Sequence, residues 1–267
     1  MPITIESAQN PKLKELKRLA TRRERQRSGR FAVEGEDLVA AARAAGRDAV
    51  EGFRVAGSGL GDARFHDVEP GLLRSVSTLG SGARVIGVYE QVWSEPAGPL
   101  CVYLHGVGDP GNVGTVLRSA QAFGASCVAL GPGCADPHSP KAARASMGAI
   151  FSVSLARVSD VGELPGERVA LVADAPDVLR GATPAAAPAP EADAAAPTPD
   201  ARTTALTLLI GSERYGLPEE LAAACERVAR IPIASESLNA AMAATVALYE
   251  VTRDGRLAPA SSRVRAS

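Results

Sequence analysis

The chain has 267 residues, a formal net charge of −1 at pH 7 and four cysteines. This length accommodates a small and a larger domain, and the near-zero net charge excludes a uniformly basic nucleic-acid-binding protein. No signal peptide and no apolar run long enough to span a membrane is seen, and the cysteines and histidines lack CxxC or metal-ligand spacing. A cytoplasmic protein with reduced thiols and no metal is therefore expected.

The charge is unevenly distributed, because residues 12–30 carry nine Lys or Arg against two Glu. This segment has a local balance of +7, so the rest of the chain carries −8. A solvated helix face is one interpretation, and a surface for a nucleic-acid backbone is the other. Asn10 and Pro11 open the helix, and aromatic residues are too scarce for base stacking, so shape and phosphate recognition of a structured RNA is expected. The candidate RNA-binding residues are Lys12, Lys14, Arg22, Arg23 and Arg30.

Two interruptions divide the chain. After a predicted strand at 84–89, prolines and glycines break the pattern near residues 91–99, which predicts an N-terminal domain at 1–92, a linker at 93–99 and a second domain at 100–257. Residues 181–205 contain sixteen Ala or Pro among twenty-five, a composition that cannot build a core. This insertion and the tail at 258–267 are predicted to be disordered.

The second domain opens with an apolar strand from Leu100 and a turn whose glycines at 106, 108 and 111 match GxGxxG. A dinucleotide-binding fold would also need an acidic residue at the end of the next strand, to bind the ribose. That strand, at 126–130, ends in Gly-Pro-Gly, and the first acidic residue is Asp136. The spacing therefore disfavours an NAD-binding oxidoreductase.

The helix after this turn has two distinct faces. Val113, Val116, Leu117 and Ala120 recur at helical spacing and are predicted to face the core, whereas Arg118 points elsewhere. Either Asn112 or the pair at 109–110 could cap the helix, and either start leaves backbone donors facing a cleft.

Two further strands end in small polar residues. A strand at 206–210 runs into a turn at 211–218, with an acidic residue at its centre and a proline before the next helix. A third strand, at 228–233, leads into 234–239 and a helix at about 240–253. Because ligands of open α/β sheets bind beyond the carboxyl ends of the strands, the three turns are predicted to converge on one site.

Together the three turns resemble the motifs of the SpoU/TrmH branch of the SPOUT RNA methyltransferases, in order and in spacing. The resemblance covers most of residues 100–253. The linker at 233–236 departs mildly from the family, which often has a glycine there. The motifs are Asp109-Pro110-Gly111-Asn112-Val113-Gly114 with Arg118, Gly211-Ser212-Glu213 with Gly216-Leu217, and Ile231-Pro232 with Ser237-Leu238-Asn239.

The resemblance implies a fold and an activity. The fold is a parallel α/β sheet with a C-terminal trefoil knot, and the activity is methyl transfer from S-adenosylmethionine to a ribose 2'-hydroxyl. Residues 3–90 are similar, more weakly, to the small L30e-like α/β domain that binds substrate in many such enzymes. Family members pair as homodimers through the knotted domain. By motif position, the cofactor would contact Gly211, Ile231 and Leu238, each of which could otherwise be a turn or core residue.

The resemblance also implies the catalytic set, which is Arg118, Asn112, Glu213, Ser237 and Asn239. A guanidinium is effectively always protonated, so Arg118 is expected to bind phosphate or the developing alkoxide, and could act as a base only if the site removed its proton. Asn112 would position Arg118 or the ribose, and Glu213 would orient the network. For Ser237 and Asn239, helix capping is the alternative role.

The predicted function is 2'-O-methylation of a structured RNA, with 23S ribosomal RNA as the expected substrate. A transfer RNA substrate shares the same motifs. An RNA-binding module without catalysis is a further alternative, disfavoured because the catalytic set is intact.

Overall fold

The computed structural model describes residues 4–79, 82–180 and 205–254. They form two compact units. The first contains the described residues up to Ser94 with Gly108–Arg118 and Cys134–Ser154, and the second contains Glu95–Val107, Ser119–Gly133 and the described residues from Leu155 onward. The division into chain segments at 92 and 99 stays a prediction. The predicted insertion (apart from residue 205) and the predicted tail lie outside the described residues.

The first unit contains a four-stranded mixed sheet with strand order β1-β4-β2-β3. Strand β4 pairs antiparallel with β1 and β2, and β2 pairs parallel with β3. The strand predicted at 84–89 is confirmed as β4, shifted by one residue. The strands are β1 (Arg30–Glu34), β2 (Glu51–Val55), β3 (Phe65–Val68) and β4 (Val85–Glu90), and the helices are α1 (Pro11–Arg18), α2 (Arg22–Ser28), α3 (Glu36–Ala44) and α4 (Pro70–Val76).

The basic segment forms two helices, so the prediction of one helix is wrong. The Thr21 side chain accepts a hydrogen bond from the Glu24 amide and caps α2, which separates it from α1. Arg25 is only 3% exposed and donates to the carbonyls of Leu19 and Ala20, both at 2.8 Å. It also forms an ion pair with Asp136 at 2.8 Å. Arg25 thus holds the chain break together, and this basic residue is unavailable to RNA.

Replacing Arg25 by Met is expected to destabilise the protein by about 3–5 kcal/mol, since it leaves a half of a buried ion pair and two carbonyls without their donor. Chemical denaturation monitored by circular dichroism measures the loss. The matched control is Arg23→Ala, because Arg23 is exposed and belongs to the same helix. Equal stability of Arg25→Met and Arg23→Ala would show that the buried pair contributes nothing.

The second unit contains a six-stranded sheet with strand order β10-β8-β9-β5-β6-β7. The four neighbouring pairs from β10 to β6 are all parallel. The strands are β5 (Leu100–Leu104), β6 (Cys127–Leu130), β7 (Ser154–Arg157), β8 (Glu167–Leu171), β9 (Leu206–Ile210) and β10 (Arg227–Ala229), and the helices are α5 (Pro110–Ala122), α6 (Pro140–Ala145), α7 (Glu219–Ala223) and α8 (Ala240–Thr252). Helices α5 and α6 contribute to the first unit, α5 in part.

The third predicted strand is much shorter than 228–233. Strand β10 ends at Ala229, because the Arg230 amide leaves the ladder and donates to the Asp177 carbonyl at 2.8 Å. Pro232 follows and has no amide hydrogen with which to continue pairing. The residues predicted as the end of this strand instead form part of a loop that leads to α8.

Three of the four cysteines are buried, and all four are free thiols. Cys101 and Cys127 lie opposite each other in β5 and β6. Burial raises the pKa of the Cys225 thiol. Within the described ranges, no helix is both long and apolar enough to cross a membrane.

Candidate active site

The first motif forms the start of α5. The Asp109 carboxylate accepts hydrogen bonds from the amides of Gly111 at 2.6 Å and Asn112 at 3.1 Å, so Asp109 is the cap and Pro110 opens the helix. Lys141 donates to the same carboxylate at 2.6 Å, and this contact lowers the pKa of Asp109. Asn112 therefore lies in the first helical turn and its side chain does not begin the helix.

The glycines of this region have structural roles. Gly106 has a φ of +67°, which glycine adopts without strain. A Cβ atom on Gly114 would lie 2.2 Å from the carbonyl oxygen of Ala142, so the missing side chain allows α6 to pack against α5. These contacts explain the GxGxxG match and the neighbouring glycine without a dinucleotide.

The two faces of α5 are as predicted. Val113, Val116, Leu117 and Ala120 are fully buried. Arg118 is exposed and forms no hydrogen bond or ion pair with any other described residue. A guanidinium in this state can bind an anionic group that comes from outside the chain.

The second and third motifs line one cavity of about 260 Å³ in the second unit. The cavity lies beyond the carboxyl ends of β8 and β9, where ligands of parallel sheets bind. Its lining includes all three predicted cofactor residues and two of the predicted catalytic residues. They are Gly211, Ile231 and Leu238, and Glu213 and Ser237.

The turn after β9 is held closed by its own backbone. Ser212 and Gly216 exchange two amide–carbonyl hydrogen bonds, at 3.2 and 2.9 Å. A Cβ atom on Gly211 would lie 2.0 Å from the carbonyl carbon of Gly216 and 2.3 Å from the amide nitrogen of Leu217. Only glycine fits at position 211 in this turn. The turn presents Glu213 at the cavity wall and leaves Tyr215 79% exposed.

The capping alternative applies to one of the two residues for which it was considered. The Asn239 side chain accepts hydrogen bonds from the amides of Ala241 at 3.0 Å and Met242 at 3.3 Å, so it caps α8. The Ser237 hydroxyl forms no hydrogen bond with another described residue, and Ser237 lines the cavity. Asn239 is not part of the cavity wall, although it follows the wall residue Leu238.

The structure thus brings together five of the eight predicted catalytic and cofactor residues. Asn112 and Arg118 belong to the first unit, and Asn239 is a helix cap. Sequence analysis missed the cavity residues at 171–173, which follow β8. The apolar run at 169–172 could have indicated this strand, since it ends in small and acidic residues.

The cavity wall is mostly apolar, and only Glu213 and Arg214 carry charge. Leu171, Ile210 and Leu238 provide aliphatic surface for a flat ring. Backbone groups at the strand ends and the Ser237 hydroxyl provide the polar contacts. Such a cavity suits an uncharged heterocycle with a polar extension.

Two family models match the chain. Residues 99–249 match the SpoU rRNA Methylase family, and residues 10–97 match the MRM3-like substrate binding domain. The first match covers more than half of the chain.

Relatives agree with these matches. The chain is 29% identical to the 23S rRNA (guanosine(2553)-2'-O)-methyltransferase RlmP of Bacillus subtilis, over 92% of this chain and 98% of that protein. It is 37% identical to the 23S rRNA (uridine(2479)-2'-O)-methyltransferase of Streptomyces viridochromogenes, over 54% of this chain and about half (49%) of that protein. An AdoMet-bound rRNA methyltransferase of Sinorhizobium meliloti has a similar structure, with a TM-score of 0.78, 28% identity and coverage of 94% and 98%.

These likenesses confirm the predicted α/β fold with its small N-terminal domain, and they confirm the RNA methyltransferase class. They are inconsistent with the NAD-binding alternative. The chain belongs to the SpoU rRNA methylase family.

Proposed function

We propose that this chain transfers a methyl group from S-adenosylmethionine to a ribose 2'-hydroxyl of ribosomal RNA, with 23S rRNA as the substrate. The observation that carries the proposal is the cavity at the strand ends, which is lined by motif residues of a family of rRNA methylases. The relatives named as 23S rRNA 2'-O-methyltransferases support the choice of acceptor and RNA.

The cavity residues fit S-adenosylmethionine. A volume of about 260 Å³ lies just below the 300–1,000 Å³ of whole-ligand sites, so the enclosed part suits the adenosine portion. The adenine ring would pack on the aliphatic side chains of Ile231 and Leu238. Gly211 would allow close approach of the backbone, since no side chain is present there.

The chemistry requires little beyond placement. S-adenosylmethionine supplies an activated methyl group, so the chain must align the 2'-oxygen with that methyl and stabilise the oxygen as it loses its proton. Arg118 is exposed and without a partner among the described residues, so it can bind a phosphate or the developing alkoxide. Asn112 positions Arg118 or the ribose, and Glu213 and Ser237 orient polar groups at the cavity wall.

Two measurements test this function. Calorimetric titration with S-adenosylmethionine should show binding, and the absence of binding would overturn the proposal. Mapping ribose methylation across total RNA, with and without the gene, should show one site lost from 23S rRNA. A lost site in transfer RNA would establish the alternative substrate, and cofactor binding without any lost site would favour a non-catalytic RNA-binding protein.

The basic helices support RNA binding. Lys14, Arg22 and Arg23 are exposed, whereas Lys12 forms an ion pair with Glu51 and Arg30 lies 3.8 Å from Glu15. We propose that the unpaired members contact phosphates. The paired members add less, because an incoming phosphate must compete with a carboxylate.

The double variant Arg22→Ala/Arg23→Ala is therefore expected to weaken RNA binding and to reduce the slope of log K against log salt by about 2. Filter binding to a 23S rRNA fragment at several salt concentrations measures both. The charge-matched control is Arg74→Ala/Arg253→Ala, which removes two exposed arginines elsewhere. An equal change of slope in the control would show that the effect is one of net charge alone.

We also propose a homodimer that forms through the knotted C-terminal domain, and a cytoplasmic location. Helix α8 buries alanines on one side but exposes Met242, Val246 and Tyr249, by 62%, 41% and 56%. These residues recur at i, i+4 and i+7, so they form one apolar stripe. A second copy of this chain is the occupant implied by the family resemblance.

Replacing Val246 by Glu is expected to convert the dimer into a monomer, because it places a charge within the buried stripe. Sedimentation equilibrium measures the mass. Val92→Glu is the control, since Val92 is 50% exposed and lies outside this helix. A monomeric wild-type protein, or a Val246→Glu protein that stays dimeric, would contradict the assignment.

A further inference from the structure

A second cavity, of about 480 Å³, lies within the first unit. It is bounded by one face of α3, the loops at 47–49 and 60–65, and β4. Its volume falls within the range of small-ligand sites. It contains none of the predicted RNA-binding residues and no residue of the three motifs.

Two aromatic rings form part of its wall. Phe65 is 6% exposed and Tyr89 is 2% exposed, and both line the cavity. Glycines fix the Phe65 ring, since Cβ atoms on Gly52 and Gly61 would lie 2.3 and 2.4 Å from ring carbons. The ring is therefore held in place by backbone on two sides, as a stacking surface requires.

The Tyr89 hydroxyl is the feature that points to a ligand. It forms no hydrogen bond with any described residue, although buried tyrosine hydroxyls normally find a partner. Burial raises the pKa of Tyr89 to about 12, so the hydroxyl keeps its proton at neutral pH and can donate. A buried donor beside a cavity is suited to a polar atom of a bound molecule.

The charged residues of the wall are arranged unequally. Arg64 is neutralised by Asp48 and Asp62, each at 3.1 Å, and Arg47 donates to the Glu90 carbonyl at 3.2 Å. Arg43 is exposed and has no hydrogen bond or ion pair with a described residue. The cavity therefore offers one available cation, a buried hydroxyl donor and carboxylate acceptors beside two aromatic rings.

We propose that this cavity binds one unstacked nucleotide of the RNA substrate, with its base against Phe65 and Tyr89 and its phosphate on Arg43. Proteins recognise single-stranded RNA by this combination of aromatic surface, base-edge hydrogen bonds and a cation for the backbone. The inference rests on the proposed function only in taking the ligand to be part of the substrate RNA. The site would hold the RNA at a point separate from the exposed residues of α1 and α2.

The test uses full-length protein and a 23S rRNA fragment that it methylates. Tyr89→Phe keeps the ring and removes the hydroxyl, and it is expected to weaken RNA binding about 5-fold, as for one lost hydrogen bond. Arg43→Gln is expected to weaken it about 10-fold, and both variants should leave the affinity for S-adenosylmethionine unchanged. Arg74→Gln, on α4, is the control for loss of one exposed arginine. Thermal melting verifies that each variant is folded.

Titration with the four ribonucleoside 5'-monophosphates, followed by NMR, supplies a direct probe. Shifts at Phe65 and Tyr89 that are lost in Tyr89→Phe/Arg43→Gln support the site. Wild-type RNA affinity in both single variants would overturn the proposal, and so would nucleotide binding on which RNA affinity does not depend. Absence of methyl transfer by the wild-type protein would instead refute the proposed function, while the binding measurements would still decide this site.

Discussion

Replacing Arg118 by Ala is expected to abolish detectable methyl transfer, a loss of at least about 10²–10³-fold, while the affinity for S-adenosylmethionine stays within a few-fold of wild type. The physical reason is that Arg118 is exposed on α5 and does not line the strand-end cavity, so it can act on the RNA side of the reaction without contributing to cofactor binding. A single-turnover assay with 23S rRNA measures the chemistry, and calorimetry measures the cofactor.

The conservative variant separates two roles for this side chain. Arg118→Lys keeps one positive charge but loses the planar fork that binds two oxygens of a phosphate. Partial activity in the lysine variant would indicate a simple electrostatic role, whereas full loss would indicate two-point binding. If Arg118→Ala retains wild-type activity, the residue is not part of the reacting site. Equal loss of cofactor affinity in Arg118→Ala would contradict the separation of roles.

Local sequence patterns predicted the elements that carry the site, because those elements depend on neighbours in the chain. The strand at 206–210 has the predicted bounds, and α8 and β5 begin as predicted. Each begins or ends at a glycine, a proline or a capping side chain. The buried face of α5 also followed from helical spacing alone.

The features that sequence reasoning missed depend on distant contacts. The break between α1 and α2 is fixed by Arg25, whose partner Asp136 lies 111 residues further along the chain. The position of β8 between β9 and β10 is likewise a long-range pairing, so nothing local predicts that residues 171–173 join the cofactor cavity. Periodicity describes an element, but it does not identify which parallel strands will be neighbours.

The choice between two caps for α5 also required three-dimensional information. Asp109 and Asn112 are both common N-cap residues, and the sequence left the choice open. The Lys141 contact favours Asp109, since it holds that carboxylate ionised beside the two amides. Asn112 is consequently freed from capping, which is compatible with its predicted role beside Arg118.

Replacing Gly211 by Ala is expected to weaken S-adenosylmethionine binding by more than about 100-fold and to destabilise the protein by about 1–3 kcal/mol. The added Cβ would lie 2.0 Å from a backbone carbonyl carbon of the same turn, so the backbone must move. Gly162→Ala is the control, because its closest contact is the Asp160 carboxylate oxygen at 3.3 Å, and that flexible side chain can rotate away.

The reason for the large effect is that the clash cannot be relieved without changing the cavity. The atoms in contact belong to Gly216 and Leu217, and the Ser212–Gly216 hydrogen bonds hold that part of the turn against Gly211. Moving it displaces Glu213 and Gly216, which are both cavity wall. Calorimetry and chemical denaturation measure the two losses separately. A Gly211→Ala protein that binds cofactor within threefold of wild type would show that this cavity is not the cofactor site, because no placement of a Cβ atom leaves its wall intact.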